Sequence, residues 1–176
     1  GGQLGPVELD PAALAATGLQ LGGAGAAGLR GDPVVDLEQV GRVGVLREGI
    51  SLGQFAEQVA MALPTTPGGV RVAGDPERLV RTVAVCGGSG GSLLAAAAAA
   101  GADVLLTSDV QHHPAVDAAE VPGPALCDVA HYASEWPWLP VAADLLHRDL
   151  GGQVQVTVSG RRTDPWTFRV DGRPRR

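Results

Sequence analysis

The first clear pattern of apolar and polar positions begins at Ser51. "SLGQFAEQVAMAL" places Leu52, Phe55, Val59 and Leu63 at the spacing of one helical face. Ser51 followed by Gln54 is a capping-box pair, and Pro64 stops the helix. Beyond it the chain alternates between short apolar runs and helix-like segments. "VRVAG" (70–74) and the β-branched "LVRTVAVC" (79–86) read as strands. "GGSGGS" (87–92) turns into an Ala-rich helix over 93–100. "ADVLLTSD" (102–109) is a second buried strand, and Pro114 opens the helix "PAVDAAE". "PALCDVA" (124–130) is a third strand. A helix from Pro140, "PVAADLLHRDL", ends at Gly151-Gly152. "QVQVTVS" (153–159) alternates strictly and predicts a half-exposed strand.

Strands alternating with helices predict an α/β fold: α/β layers with a mixed, largely parallel sheet flanked by helices. Residues 1–36 are Gly/Ala-rich and carry no long period, with one short helix at Asp10-Pro11. The chain therefore divides into a linker and lead-in segment (1–50), an α/β domain (51–170) and a basic tail (171–176).

Composition sharpens this. Apolar residues are 45 % of the 176 but aromatics only 3 %, so Ala, Val and Leu must build the core. The net charge is −6 and every cation is an arginine. An acidic chain is a poor nonspecific nucleic-acid binder. Its basic residues cluster at Arg161–Arg162 and at Arg173, Arg175 and Arg176, a pattern that suits a solvated end. Cys86 and Cys127 sit in or beside strand-like runs and are expected as buried free thiols. The Ala run at 95–100 is too short and too weakly apolar to span a bilayer, and no signal peptide is visible. These features predict a soluble cytoplasmic protein. Trp166 and Phe168 in "TDPWTF" are expected to pack a terminus against the core.

Ligands of α/β sheets bind beyond the carboxyl ends of the strands. Three polar segments follow predicted strand ends: Gly87–Gly91, Thr107–Asp109 and His131. The glycine turn suits an anion or close backbone approach, and a plain tight turn accounts for it equally well. "TSDVQHHPAVDA" brings Asp109, His112 and His113 near a strand end, where the histidines are metal ligands or solvent-facing groups. "HYASE" sets His131 and Glu135 at i and i+4. On a helix, they share a face and can converge on one Zn, Mn or Fe ion, or form a surface pair.

Taken together, "GRVGVL", "VAVCGGSG", "ADVLLTSDVQHHPAVDA", "LCDVAHYASE" and "TDPWTF", in this order and spacing, resemble the Ngg-interacting-factor-three-like family. These dinuclear-metal proteins are known in bacteria as type 2 homologues of GTP cyclohydrolase I. The resemblance covers residues 37–168. It implies a toroidal homohexamer with a two-metal site in each complete subunit. The family's His and Glu ligands fall on His131 and Glu135, the Asp of its TSD-like segment on Asp109, and a following His on His113.

Departures accompany the match. The family's adjacent His pair and a further Asp ligand belong to an N-terminal half with no counterpart in this sequence. "QHHP" imitates that pair but follows the second-half segment. Ser108, Gly91 and Ala130 replace the usual Gly/Ala, Asp and Gly, and remove no ligand.

The implied chemistry is hydrolysis of a phosphorylated or nucleotide-like small molecule. Two cations about 3.5–4 Å apart would acidify a shared water and stabilise the displaced oxygens. His131 and Glu135 would be metal ligands, and Asp109 and His113 would orient substrate or shuttle a proton. With the other ligands missing, weak metal binding and little activity are expected of this chain. The competing possibility is an interaction or scaffold module with a structural or vestigial metal site.

Overall fold

The computed structural model describes residues 35–37, 41–120 and 122–172. The expected helix at Asp10-Pro11 and the tail arginines 173, 175 and 176 lie outside them.

Among the described residues, six strands form one sheet: β1 (Val35–Leu37), β2 (Gly41–Ser51), β3 (Arg71–Ala73), β4 (Leu79–Ser89), β5 (Val104–Ser108) and β6 (Ala125–Val129). Their order is β1-β2-β4-β5-β6-β3. Among the described residues, five helices join or follow them: α1 (Leu52–Ala62), α2 (Leu94–Ala99), α3 (His112–Glu120), α4 (His131–Glu135) and α5 (Trp138–Leu150). A short 3-10 turn, Gly91–Leu93, leads into α2. The fold is α/β with a mixed sheet, as the sequence predicts. The parallel part is β4-β5-β6, and antiparallel strands β2 and β3 flank it.

Parallel strands are buried on both faces, so successive side chains must feed two cores. Val83, Val85, Val104, Leu106, Ala125, Cys127 and Val129 join Leu52, Phe55 and Val59 of α1 on one face. Ala84, Leu105 and Leu126 join Leu93 and Ala97 on the other. Small alanines let α2 lie close. The predicted cap of α1 is present: Gln54 N–H donates to Ser51 Oγ at 3.2 Å and Ser51 N–H to Gln54 Oε1 at 3.1 Å. Both cysteines are free and buried. Among the described residues, no helix is long and apolar enough to cross a membrane.

Three differences from the sequence-based expectation matter. First, Gly41–Ser51 is a long strand paired with β4, so the sheet reaches into the stretch assigned to the lead-in. Second, residues 153–159 form no strand. Strict alternation shows what a segment fits, but a strand also needs a neighbour for its ladder, and the described edges of this sheet are the short β1 and β3. Third, Trp166 and Phe168 do not pack on the core; they are 69 % and 75 % exposed.

Two substitutions test this account of α1. Phe55 is fully buried, so Phe55→Ala is expected to cost about 3–5 kcal/mol. Ser51→Ala removes only the cap and is expected to cost about 1 kcal/mol. Urea denaturation of both variants measures the contrast.

Candidate functional site

The strand-end polar segments do meet. β5 ends at Ser108, and Asp109 follows with φ +54, a left-handed conformation that Asp tolerates better than most residues. β6 ends at Val129, and α4 starts at His131 after Ala130, whose side chain makes no capping bond. His131 Nδ1 lies 2.6 Å from Asp109 Oδ2, and Nε2 lies 3.0 Å from Glu135 Oε1. The helix over "HYASE" supplies the second contact, since i and i+4 share a face.

A carboxylate only accepts, so Nδ1 carries the proton it donates to Asp109. By the same rule Nε2 donates to Glu135 when the ring is protonated, and is open to a ligand only when it is not. The three side chains are about half exposed, at 48 %, 54 % and 53 % for His131, Asp109 and Glu135, so the site is open to solvent. Exposed ion pairs contribute little to stability.

The glycine turn forms the wall of this site. Gly88 has φ +70, and a Cβ there would sit 2.9 Å from Glu135 Oε1 and 3.4 Å from His131 Nε2. Its N–H donates to Ser134 Oγ at 2.9 Å, and Ser134 Oγ donates to the His131 carbonyl at 2.8 Å. Thr107 Oγ1 donates to the Gly88 carbonyl at 3.0 Å. The turn thus serves close backbone approach: its Gly88 amide is committed to Ser134. Sequence reasoning named Thr107 only as part of a polar strand-end segment and missed Ser134, although it lies inside the HYASE box.

His113 lies on the first turn of α3. Its ring meets that of His112 edge-on at 5.4 Å, and among the described residues no hydrogen bond ties it to Asp109, His131 or Glu135. Burial pushes the Cys127 thiol up to about 12 and also raises that of Cys86, so neither offers a thiolate at neutral pH.

The donor set fits part of a metal site. Two ligands at the usual 2.0–2.2 Å from one cation lie about 3.4 Å apart in tetrahedral geometry and about 3 Å apart in octahedral geometry. Nε2 and Oε1 are 3.0 Å apart. Asp109 on the other ring nitrogen matches the carboxylate that orients a metal-binding imidazole. Yet no set of three His, Cys, Asp or Glu side chains among the described residues could hold an ion. Asp109 grips the ring from the far side and adds no third donor beside Nε2.

Fold and site together define an α/β protein with a carboxylate–histidine–carboxylate cluster at the carboxyl edge of its parallel strands. The chain belongs to the Duf34/NIF3 (NGG1p interacting factor 3) family, whose profile matches residues 9–165. It is 49 % identical over 129 residues to a Mycobacterium leprae protein named GTP cyclohydrolase 1 type 2 homolog, which covers 73 % of this chain and 34 % of that one. A Streptomyces coelicolor protein of the same name is 46 % identical over 138 residues, covering 77 % of this chain and 48 % of that one. A solved Bacillus cereus protein related to NIF3 superposes with a TM-score of 0.67 at 35 % identity, over 73 % of this chain and 35 % of that one. The chain thus spans a third to a half of the length of these relatives.

The hydrogen bond to Asp109, followed by the charge of Glu135, raises the His131 pKa above its ordinary value of 6.5, against an opposing effect of burial. A folded pKa above the unfolded one means that the protonated ring stabilises the fold. That contribution is complete below about pH 6.5. It is lost as pH rises through the folded value. Asp109→Asn is expected to narrow this window, and urea melts of both proteins from about pH 5 to 9 measure it. Gly88→Ala is expected to cost about 1–2 kcal/mol from its left-handed backbone. It should also push Glu135 away from His131, which the His131 ring resonances report.

Proposed function

We propose that this chain supplies one half of a dinuclear metal site in a hydrolase acting on a phosphorylated or nucleotide-like small molecule. His131 Nε2 and the Glu135 carboxylate are the ligands. The observation that carries this reading is their 3.0 Å separation with Asp109 fixed on Nδ1. The relatives' name, GTP cyclohydrolase 1 type 2 homolog, supports the nucleotide-like substrate class.

When bound, divalent Zn, Mn or Fe would supply an acidified water and charge stabilisation for a hydrolytic displacement. The chain's own residues do the rest. Asp109 holds the His131 ring with Nε2 facing the ligand position, a role in positioning rather than in proton transfer. The Gly88 backbone closes one wall without blocking it. His113, exposed four residues beyond Asp109, is the group left to contact substrate or move a proton. The remaining ligands come from outside the described residues, in an assembly of several copies of the full-length protein, a homohexamer on the family resemblance.

A second reading is an interaction module with a structural or vestigial metal site. The exposed Trp166, Phe168 and Val170 favour it, since large apolar groups in one exposed segment suit a partner surface. Zinc titration by calorimetry separates the two. A half site predicts weak, single-ion binding that disappears in both His131→Ala and Glu135→Ala, and hydrolysis that is negligible in this chain alone. Tight binding of two ions per chain contradicts the half site. Metal content unchanged in both variants removes the site.

A further inference from the structure

Asp128 is an ionisable residue in the middle of a buried strand, only 5 % exposed. A buried carboxylate needs a partner for each oxygen. Oδ2 accepts from Arg71 Nε at 2.9 Å and also from its Nη2. Oδ1 accepts from the Val110 backbone N–H at 2.9 Å. The first pair joins β6 to the edge strand β3, where Arg71 and Asp128 lie opposite each other in the ladder. The second reaches out of the sheet to the segment between β5 and α3.

That second bond matters because of what precedes Val110. Asp109 has a left-handed backbone, a conformation that a non-glycine residue keeps only where its surroundings impose it. Its carboxylate must point at His131 Nδ1 across 2.6 Å. The Asp109 side chain and the Val110 N–H are thus two fixed points on either side of one strained turn. Asp128 holds the backbone point.

We propose that Asp128 is a positioning residue for the His131 site. It acts through the Val110 peptide to set the Asp109 turn, and the turn sets the tautomer and orientation of the His131 ring. Arg71 aims Asp128 and balances its charge, and is not itself needed for the turn. The metal part of the test rests on the function proposed above; the tautomer part does not.

The experiment uses the full chain with Asp128→Ala, Asp128→Asn and Arg71→Ala, read by long-range proton–nitrogen spectra of the histidine rings and by zinc titration. At a pH above the His131 pKa, where the ring is neutral, wild type is expected to show its proton on Nδ1. Asp128→Ala should yield a mixture of tautomers and a zinc affinity about tenfold weaker, the low end for loss of outer-shell support. Asp128→Asn keeps an oxygen for Val110 and should restore both readouts, and Arg71→Ala should leave both near wild type. Should Asp128→Ala not fold, Asp128→Glu keeps the charge for Arg71 but carries its carboxylate past the Val110 N–H, and the same loss is expected. Two results overturn the proposal: a folded Asp128→Ala or Asp128→Glu protein with the wild-type tautomer, or Asp128→Asn failing as badly as Asp128→Ala. A chain that binds no zinc yet loses its tautomer in Asp128→Ala refutes the metal reading and leaves the role of Asp128 standing.

Discussion

Parallel strands must be covered on both faces, and in this sheet the three central ones are. β4, β5 and β6 alternate their side chains between two apolar cores, one under α1 and one under α2. Buried on both sides, such strands can expose polar groups to solvent only where they end. Ser108, Asp109, Gly88 and His131 all lie at or just beyond those ends. The site is therefore a consequence of the sheet. β5 and β6 run in parallel register, Ser108 beside Val129, so the residues that follow them emerge side by side. This adjacency brings Asp109 within 2.6 Å of a histidine 22 positions later.

Much of this was legible in the sequence. Short apolar runs bounded by glycine and proline marked β4, β5 and β6, and the helical stripe with its Ser51–Gln54 cap marked α1. The i,i+4 spacing of His131 and Glu135 required only that the segment be helical. What the sequence concealed depends on partners distant in the chain. "GRVGVLREGIS" carries charges and glycines that obscure a strand, and becomes one because β4 offers it an edge. "QVQVTVS" shows the opposite case: good alternation with no ladder to join. Trp166 and Phe168 likewise show that apolar character alone does not guarantee burial. Asp128 left a weaker signal, a carboxylate inside a run that otherwise reads as core. Burial of a charge asks for a cation, but not which one; only the sheet order puts Arg71 opposite it.

The site's electrostatics follow from the same layout. Carboxylates on both ring nitrogens favour the charged imidazole, so a proton on Nε2 would compete with the cation proposed for that position. The bond between Nδ1 and Asp109 serves either. On the proposed function, Asp109 is a fixed orienting group for the ring. The family relationship gives this arrangement a setting in longer proteins, of which the chain matches a third to a half.

The most direct test is an anomalous-difference map from crystals of this chain soaked in zinc. The account predicts one peak within about 2.0–2.2 Å of both His131 Nε2 and a Glu135 carboxylate oxygen, with Asp109 still on Nδ1. A peak at His112 and His113 instead, or none at His131 in crystals that bind zinc elsewhere, would contradict it.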